Sequence, residues 1–191
     1  TYTTREGNAA SFYPKNPSAA VDKLGNVHSA FANMSDEITP PCYRHVFYMK
    51  TDRDGLVLVP PLQLDHEIDG NGGQWSPHIA TDVNEYAHIV WYGNTVPESK
   101  PPYHLYYSKI NPEGTQVLGP VKFLTSDYSS VPVIDPFPDL GLGTGSFENP
   151  RVAVTSSGKV HVVFWGEDTV PVPFNVIDVA TIFYMQLDPD S

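Results

Sequence analysis

The sequence predicts an all-β chain built from three repeats of a four-stranded antiparallel unit. One observation is a block of text that recurs three times, as NPSAAVDKLGNVHSAFANMSDE from residue 16, SPHIATDVNEYAHIVWYGNTVPE from 76 and NPRVAVTSSGKVHVVFWGEDTVPV from 149. Another is its spacing: Pro17, Pro77 and Pro150 are offset by 60 and 73, and so are His28, His88 and His161. An internal period of this size is the signature of a repeat architecture. Last, 19 prolines and 14 glycines cut the 191 residues into runs too short for helices, which suits strands joined by turns.

Each unit opens with strand A, the apolar runs SAAVD, HIATD and RVAVT. A tight polar turn (KLGN, VNEY, SSGK) leads to strand B, VHSAFA, AHIVWY and VHVVFW. β-Branched and aromatic residues dominate these runs, as a pleated, half-buried surface requires. Strand C follows as RHVFYMK, YHLYYSK and TIFYMQL, with Tyr48, Tyr107 and Tyr184 equivalent. The turns TDRDG and INPEG end on a glycine free to take positive φ. Strand D, LVLVPPLQL and TQVLGPVKFL, carries prolines that suit an outer edge, where a lost N–H costs least.

Four antiparallel strands in about 60 residues make one blade of a β-propeller. The expected blades are residues 17–76, 77–149 and 150–191. The third lacks its own outer strand. Residues 1–16 form an N-terminal segment, and Tyr2 stands as far before Pro17 as Leu62 stands before Pro77, so residues 1–5 could supply an outer strand that completes a blade. Three blades leave open edges, which invite pairing. The expectation is a partial propeller, either completed by oligomerisation (two copies would give six blades) or part of a longer one, in contact with another chain or with further blades.

The pattern P-x-x-A-x-D…G-N-V-H-x-x-F/W…Y-Y-x-K…G resembles the blades of sialidase-like propellers, the superfamily that contains the BNR-repeat proteins. The Asp-box of that superfamily is missing from every turn; TSSGKVH is a degraded echo of it. A sialidase also needs three arginines converging on the substrate carboxylate. Here Arg5, Arg44, Arg53 and Arg151 are the full set and occupy non-equivalent places. No pair of carboxylates at retaining-hydrolase spacing can be nominated. The reading is therefore a non-catalytic module that binds a glycan or protein, or a unit of an extracellular assembly. The alternative is a fragment of a sialidase-like glycoside hydrolase whose catalytic residues lie elsewhere.

Candidate ligand residues cluster after strand B. Asn33, Asn94 and Asp168 head these connections, and Glu37 and Glu98 follow four residues later in two of them. Their oxygens could hold sugar hydroxyls or a hard cation such as Ca²⁺; no other cofactor is expected. The competing reading is that the three residues cap turns through side-chain oxygens. Tyr92 and Trp165, at the end of strand B, and Trp75, before Pro77, could stack on a sugar ring or pack between blades. Phe31, Trp91 and Phe164 point the other way and should fill the space between blades. His28, His88 and His161 each belong to a different blade, and neither H-E-x-x-H nor C-x-x-C occurs, so they read as histidines bonded into their blades and not as a zinc site. The long connection from Ser126 to Glu148 carries Val131, Ile134, Phe137 and Leu140, whose exposure would be costly and which read as an interface.

Asp and Glu outnumber Lys and Arg by 22 to 11, a net charge of −11, which argues against nucleic acid and anionic membrane surfaces. No apolar run is long enough to insert in a bilayer. Cys42 is the only cysteine, so no internal disulfide forms. The chain starts at Thr1, as a mature secreted form, a trimmed fragment or a cut piece would, and does not decide among them; the expected setting is extracellular or the cell surface.

Overall fold

A computed structural model describes residues 14–34, 44–66, 68, 72–95, 103–124, 147–172 and 175–187. All regular structure in them is β. Blade 1 comprises β1 (Lys15–Val21), β2 (Val27–Met34), β3 (Arg44–Thr51) and β4 (Val57–Gln63). Blade 2 comprises β5 (Gln74–Thr81), β6 (Ala87–Gly93), β7 (His104–Ile110) and β8 (Gln116–Leu124). Blade 3 has β9 (Phe147–Val154), β10 (Val160–Val172) and β11 (Asn175–Leu187). Each sheet runs in chain order and is antiparallel throughout. The proline-bearing strands β4 and β8 are the outer edges.

The strands begin two or three residues before the prolines that mark the repeat, and the reason is a bulge. The register slips between Lys15 and Ser18 and between Trp75 and His78, and Asn149 and Pro150 occupy the same place in β9. Asn16, Ser76 and Asn149 take left-handed backbone, with φ of 51°, 45° and 50°. A residue before proline ordinarily stays extended, so this kink runs against local preference in all three blades. A bulge bends its strand and re-aims the flanking side chains.

The sheets stack face on face, with β5 packed between β1 and β9. The first interface joins Ala30, Val46, Tyr48 and Leu64 of blade 1 to Ile79, Ile89, Trp91, Tyr106 and Ile110 of blade 2. The second joins Val90, Leu105 and Tyr107 of blade 2 to Phe147, Val152, Val160, Val162 and Phe164 of blade 3. A stacked aromatic pair recurs at equivalent positions: Phe31 on Phe47 (5.8 Å), Trp91 on Tyr106 (5.8 Å) and Phe164 on Phe183 (5.4 Å). Burial lifts the Tyr106 phenol to about 12. Side chains also bond across the first interface: Ser18 Oγ accepts from the Ile79 amide (3.3 Å) and the Thr81 hydroxyl donates to the Val21 carbonyl (3.1 Å).

One expectation is corrected. The segment headed by Asp168 is not a loop after strand B. β10 continues to Val172 and pairs with β11 without interruption, Asp168 opposite Val179. Alternating β-branched residues in TVPV and NVIDV favour pairing. Pro171 sits opposite Val176 within this hairpin. The proposed N-terminal outer strand and the interface residues Val131, Ile134, Phe137 and Leu140 lie outside the described residues.

Candidate functional site

The two ends of each blade differ in chemistry. At the end formed by the A–B turns, a carboxylate caps the turn and orders the histidine. Asp22 Oδ1 accepts from the Leu24 and Asn26 amides (both 2.9 Å), and Oδ2 accepts from the Asn26 side chain (2.8 Å) and meets His28 Nε2 at 3.1 Å. His28 Nδ1 in turn meets the Tyr48 hydroxyl at 2.9 Å. Blade 2 repeats this with Asp82, His88 and Tyr107 at 3.4 and 2.8 Å. In blade 3, His161 meets Tyr184 at 2.7 Å, but Thr155 stands where the aspartates stood.

These Asp–His–Tyr chains have the composition of a catalytic relay and lack its access. His28 and His88 are fully buried. Burial, aided by the positive charge of Lys50 and opposed by the bond to Asp22, lowers the His28 pKa. For Asp22, burial alone would raise the carboxyl; bonds from the Asn26 and His28 side chains and the Asn26 and Leu24 amides outweigh it and hold the group far below the usual carboxylate range. Lys50 Nζ lies 3.6 Å from Asp22 Oδ2 and donates to the Pro112 carbonyl across the interface (3.2 Å). The arrangement rigidifies the blades.

The opposite end carries the candidate site. The bulges of β5 and β9 set Trp75 opposite Tyr92 and Glu148 opposite Trp165 at equivalent places in adjacent blades. Trp75 stacks on Tyr92 (5.7 Å, 25°), and Tyr103 meets both rings edge-on at 5.3 and 5.5 Å. Gly73 makes the room: a Cβ there would lie 2.3 Å from the Trp75 ring. Trp75 is buried, whereas Tyr92, Tyr103, Glu148 and Trp165 are partly exposed. Burial raises both phenols, and the nearby Glu148 carboxylate raises them further; a bond to Ser76 and the charge of Arg44 pull Tyr92 partway back. Two phenols, a carboxylate and an indole thus share one rim spanning blades 2 and 3. Aromatic faces and polar edges are what a sugar ring with apolar C–H faces and peripheral hydroxyls requires.

The remaining candidates sit elsewhere. Asn94 is buried; its Oδ1 accepts from the Gly73 amide (3.0 Å) and its carbonyl from the Gln74 side chain (3.0 Å), tying the two loop-end connections together. Asn33 is buried on β2 opposite His45. Glu37 and Glu98 lie outside the described residues. Among the described residues no three His, Cys, Asp or Glu side chains gather as a metal site. Tyr103, Glu148 and Ser76 were not nominated from sequence. Glu148 was within reach, because it stands two residues before Pro150 as Trp75 stands two before Pro77.

The chain matches no protein-family model and no curated protein. Solved structures match its fold. A protein of unknown function from Dyadobacter fermentans aligns with a TM-score of 0.57 and 13% identity, over 95% of this chain and 53% of that one. Zg3597, a family 117 glycoside hydrolase produced by the marine bacterium Zobellia galactanivorans, aligns with a TM-score of 0.57 and 13% identity, over 98% and 56%. A thermostable family-43 glycoside hydrolase aligns with a TM-score of 0.52 and 16% identity, over 95% and 56%. The chain spans about half the length of these structures, and its three antiparallel sheets match about half of each glycoside hydrolase fold.

Proposed function

We propose that the chain is a carbohydrate-recognising propeller module that takes a glycan on the loop-end rim of blades 2 and 3. The observation that supports this most is the Trp75–Tyr92–Tyr103 cluster with Glu148 and Trp165 beside it. Tyr92 and Trp165 offer ring faces, Glu148 accepts from sugar hydroxyls, and buried Trp75 fixes the Tyr92 ring. The setting that fits is extracellular or the cell surface, where such ligands are displayed. The role is binding, because the two Asp–His–Tyr chains of blades 1 and 2 are buried and structural and the rim offers one described carboxylate, not the pair that retaining hydrolysis uses.

A second reading, glycoside hydrolysis by a longer propeller of which these blades are a part, draws on the likeness to the family 117 and family-43 enzymes, a likeness of fold alone. The finer sialidase-type assignment belongs with it and rests on the strand wording. One sample tested on a glycan array and on a panel of fluorogenic glycosides, a sialoside included, separates the readings. Binding without turnover, weakened about threefold to tenfold by Tyr92→Ala or Trp165→Ala, as loss of an aromatic contact would give, supports the first. Turnover that vanishes with Glu148→Gln replaces it with the second.

A further inference from the structure

The repeat supplies its own measure of which faces are unpaired. Each blade has a trailing face turned toward the next blade and a leading face turned toward the one before. On the trailing faces Ala30, Val46 and Tyr48 of blade 1 are each 0% exposed, and their equivalents Val90, Leu105 and Tyr107 of blade 2 are 0%, 0% and 3%. The same positions in blade 3 are Val163, Ile182 and Tyr184, exposed to 42%, 72% and 62%. The residue types are unchanged; among the described residues no further sheet packs on this face.

The complementary defect is on blade 1. Its leading face carries the stacked pair Phe31 and Phe47, with Met49 and Ala19. The equivalents of Phe31 in blades 2 and 3, Trp91 and Phe164, are buried against the preceding blade, and so are Ile79 and Val152, the equivalents of Ala19. Phe31, Phe47 and Met49 are only half-buried, and Ala19 is exposed.

We propose that two copies of this chain associate head to tail, the trailing face of blade 3 in each seating the leading face of blade 1 in the other. The contact continues an interface that the chain already forms twice within itself, between the same two kinds of face. The surfaces are different patches, so the contact is heterologous and must close to stop growing. Two copies of three sheets close it as a ring of six, each trailing face meeting a leading face. The proposal does not rest on the glycan reading.

The test is the mass of the 191-residue chain by light scattering, with Ile182→Glu and Ala19→Glu as variants at exposed positions and circular dichroism to show that both remain folded. The wild type should be a dimer that tightens as salt rises, because each copy carries a net charge of −11 and screening relieves their repulsion. Each variant alone should be monomeric, since either change spoils both contacts of the closed pair. Mixed in equal amounts, the two should recover a dimer, because one intact trailing face then meets one intact leading face. A monomeric wild type, a larger assembly, variants that still dimerise, or a mixture that stays monomeric each overturns the proposal.

Discussion

The turn end and the loop end of the blades repeat different things. At the turn end the side chains recur: Asp22 with His28 and Tyr48, then Asp82 with His88 and Tyr107. At the loop end the backbone recurs, with a left-handed residue before a proline in every inner strand, and the side chains diverge. Lys15, Trp75 and Glu148 are equivalent, as are Ala32, Tyr92 and Trp165. A scaffold must solve the same packing problem in each blade, so its chemistry repeats. A binding site is one place on the molecule, so its chemistry need not. The divergence on a repeated frame is what favours the loop end for the recognition proposed above.

The largest way to break this comparison is to truncate one aromatic from each class. Trp91 is fully buried, stacks on Tyr106 and donates from Nε1 to Gln74 Oε1 at 2.9 Å. Trp91→Ala should cost about 3–5 kcal/mol, the usual loss for a large core aromatic, and take from Gln74 Oε1 the donor it has in Trp91. Trp165→Ala, at a partly exposed rim position, should cost about 1 kcal/mol or less. Urea titrations of both variants provide the comparison. Equal losses would mean that the rim is ordinary core.

Much of this division was legible in the text. The proline and histidine offsets gave the three units, and strand alternation separated Trp91 from Tyr92. Aspartate six residues before His28 and His88 was visible too, and its absence before His161, where Thr155 stands, could have marked blade 3 as different. The bulges were not legible, because a residue before proline ordinarily avoids the left-handed region that Asn16, Ser76 and Asn149 occupy. The length of the β10–β11 hairpin was not legible, because Asp168 aligns with Asn33 and Asn94, which head connections after strand B in the other units; the pairing of β-branched neighbours carries the strands on instead. The meeting of Tyr92 and Tyr103 with Glu148 required blades 2 and 3 to be set side by side, which a linear reading does not supply.

An intermediate effect should appear with pH. The His28 and His78 pKa values are lowered, the first chiefly by burial with Lys50 adding to it, the second by burial and Arg151. His78 Nδ1 also accepts from the Val152 amide across the second interface (3.2 Å). Both rings are held neutral in the fold, so they contribute stability above about pH 6.5 and lose it as pH falls below that value. His45 runs the other way. Its bond to Asp65 (3.1 Å) raises its pKa against burial, so its contribution is full below about pH 6.5 and fades as pH rises through the raised value. Asp22, strongly depressed, adds a further loss once pH drops below about 4. The melting temperature should therefore fall on acidification in two stages, and His28→Gln should flatten the first. A stability that rose steadily from pH 8 to about 5 would show His45 outweighing His28 and His78.

The smallest effect is the sharpest test of how strictly the turn end repeats. Gly25, Glu85 and Gly158 hold the same turn position, with φ of 85°, 69° and 84°. A Cβ on Gly158 would meet nothing within 4 Å, so Gly158→Ala isolates the backbone cost and should destabilise by about 1 kcal/mol. Glu85 already bears that cost. Its carboxylate meets Lys23 Nζ at 3.3 Å, but Lys23 is largely exposed, and exposed pairs return little. Glu85→Gly should therefore be stabilising by a few tenths of a kcal/mol, opposite in sign to Gly158→Ala at the same place in the repeat. If Glu85→Gly destabilises instead, the Lys23–Glu85 pair is a true tie between blades 1 and 2, and the turn end would carry individual interactions as well as repeated ones.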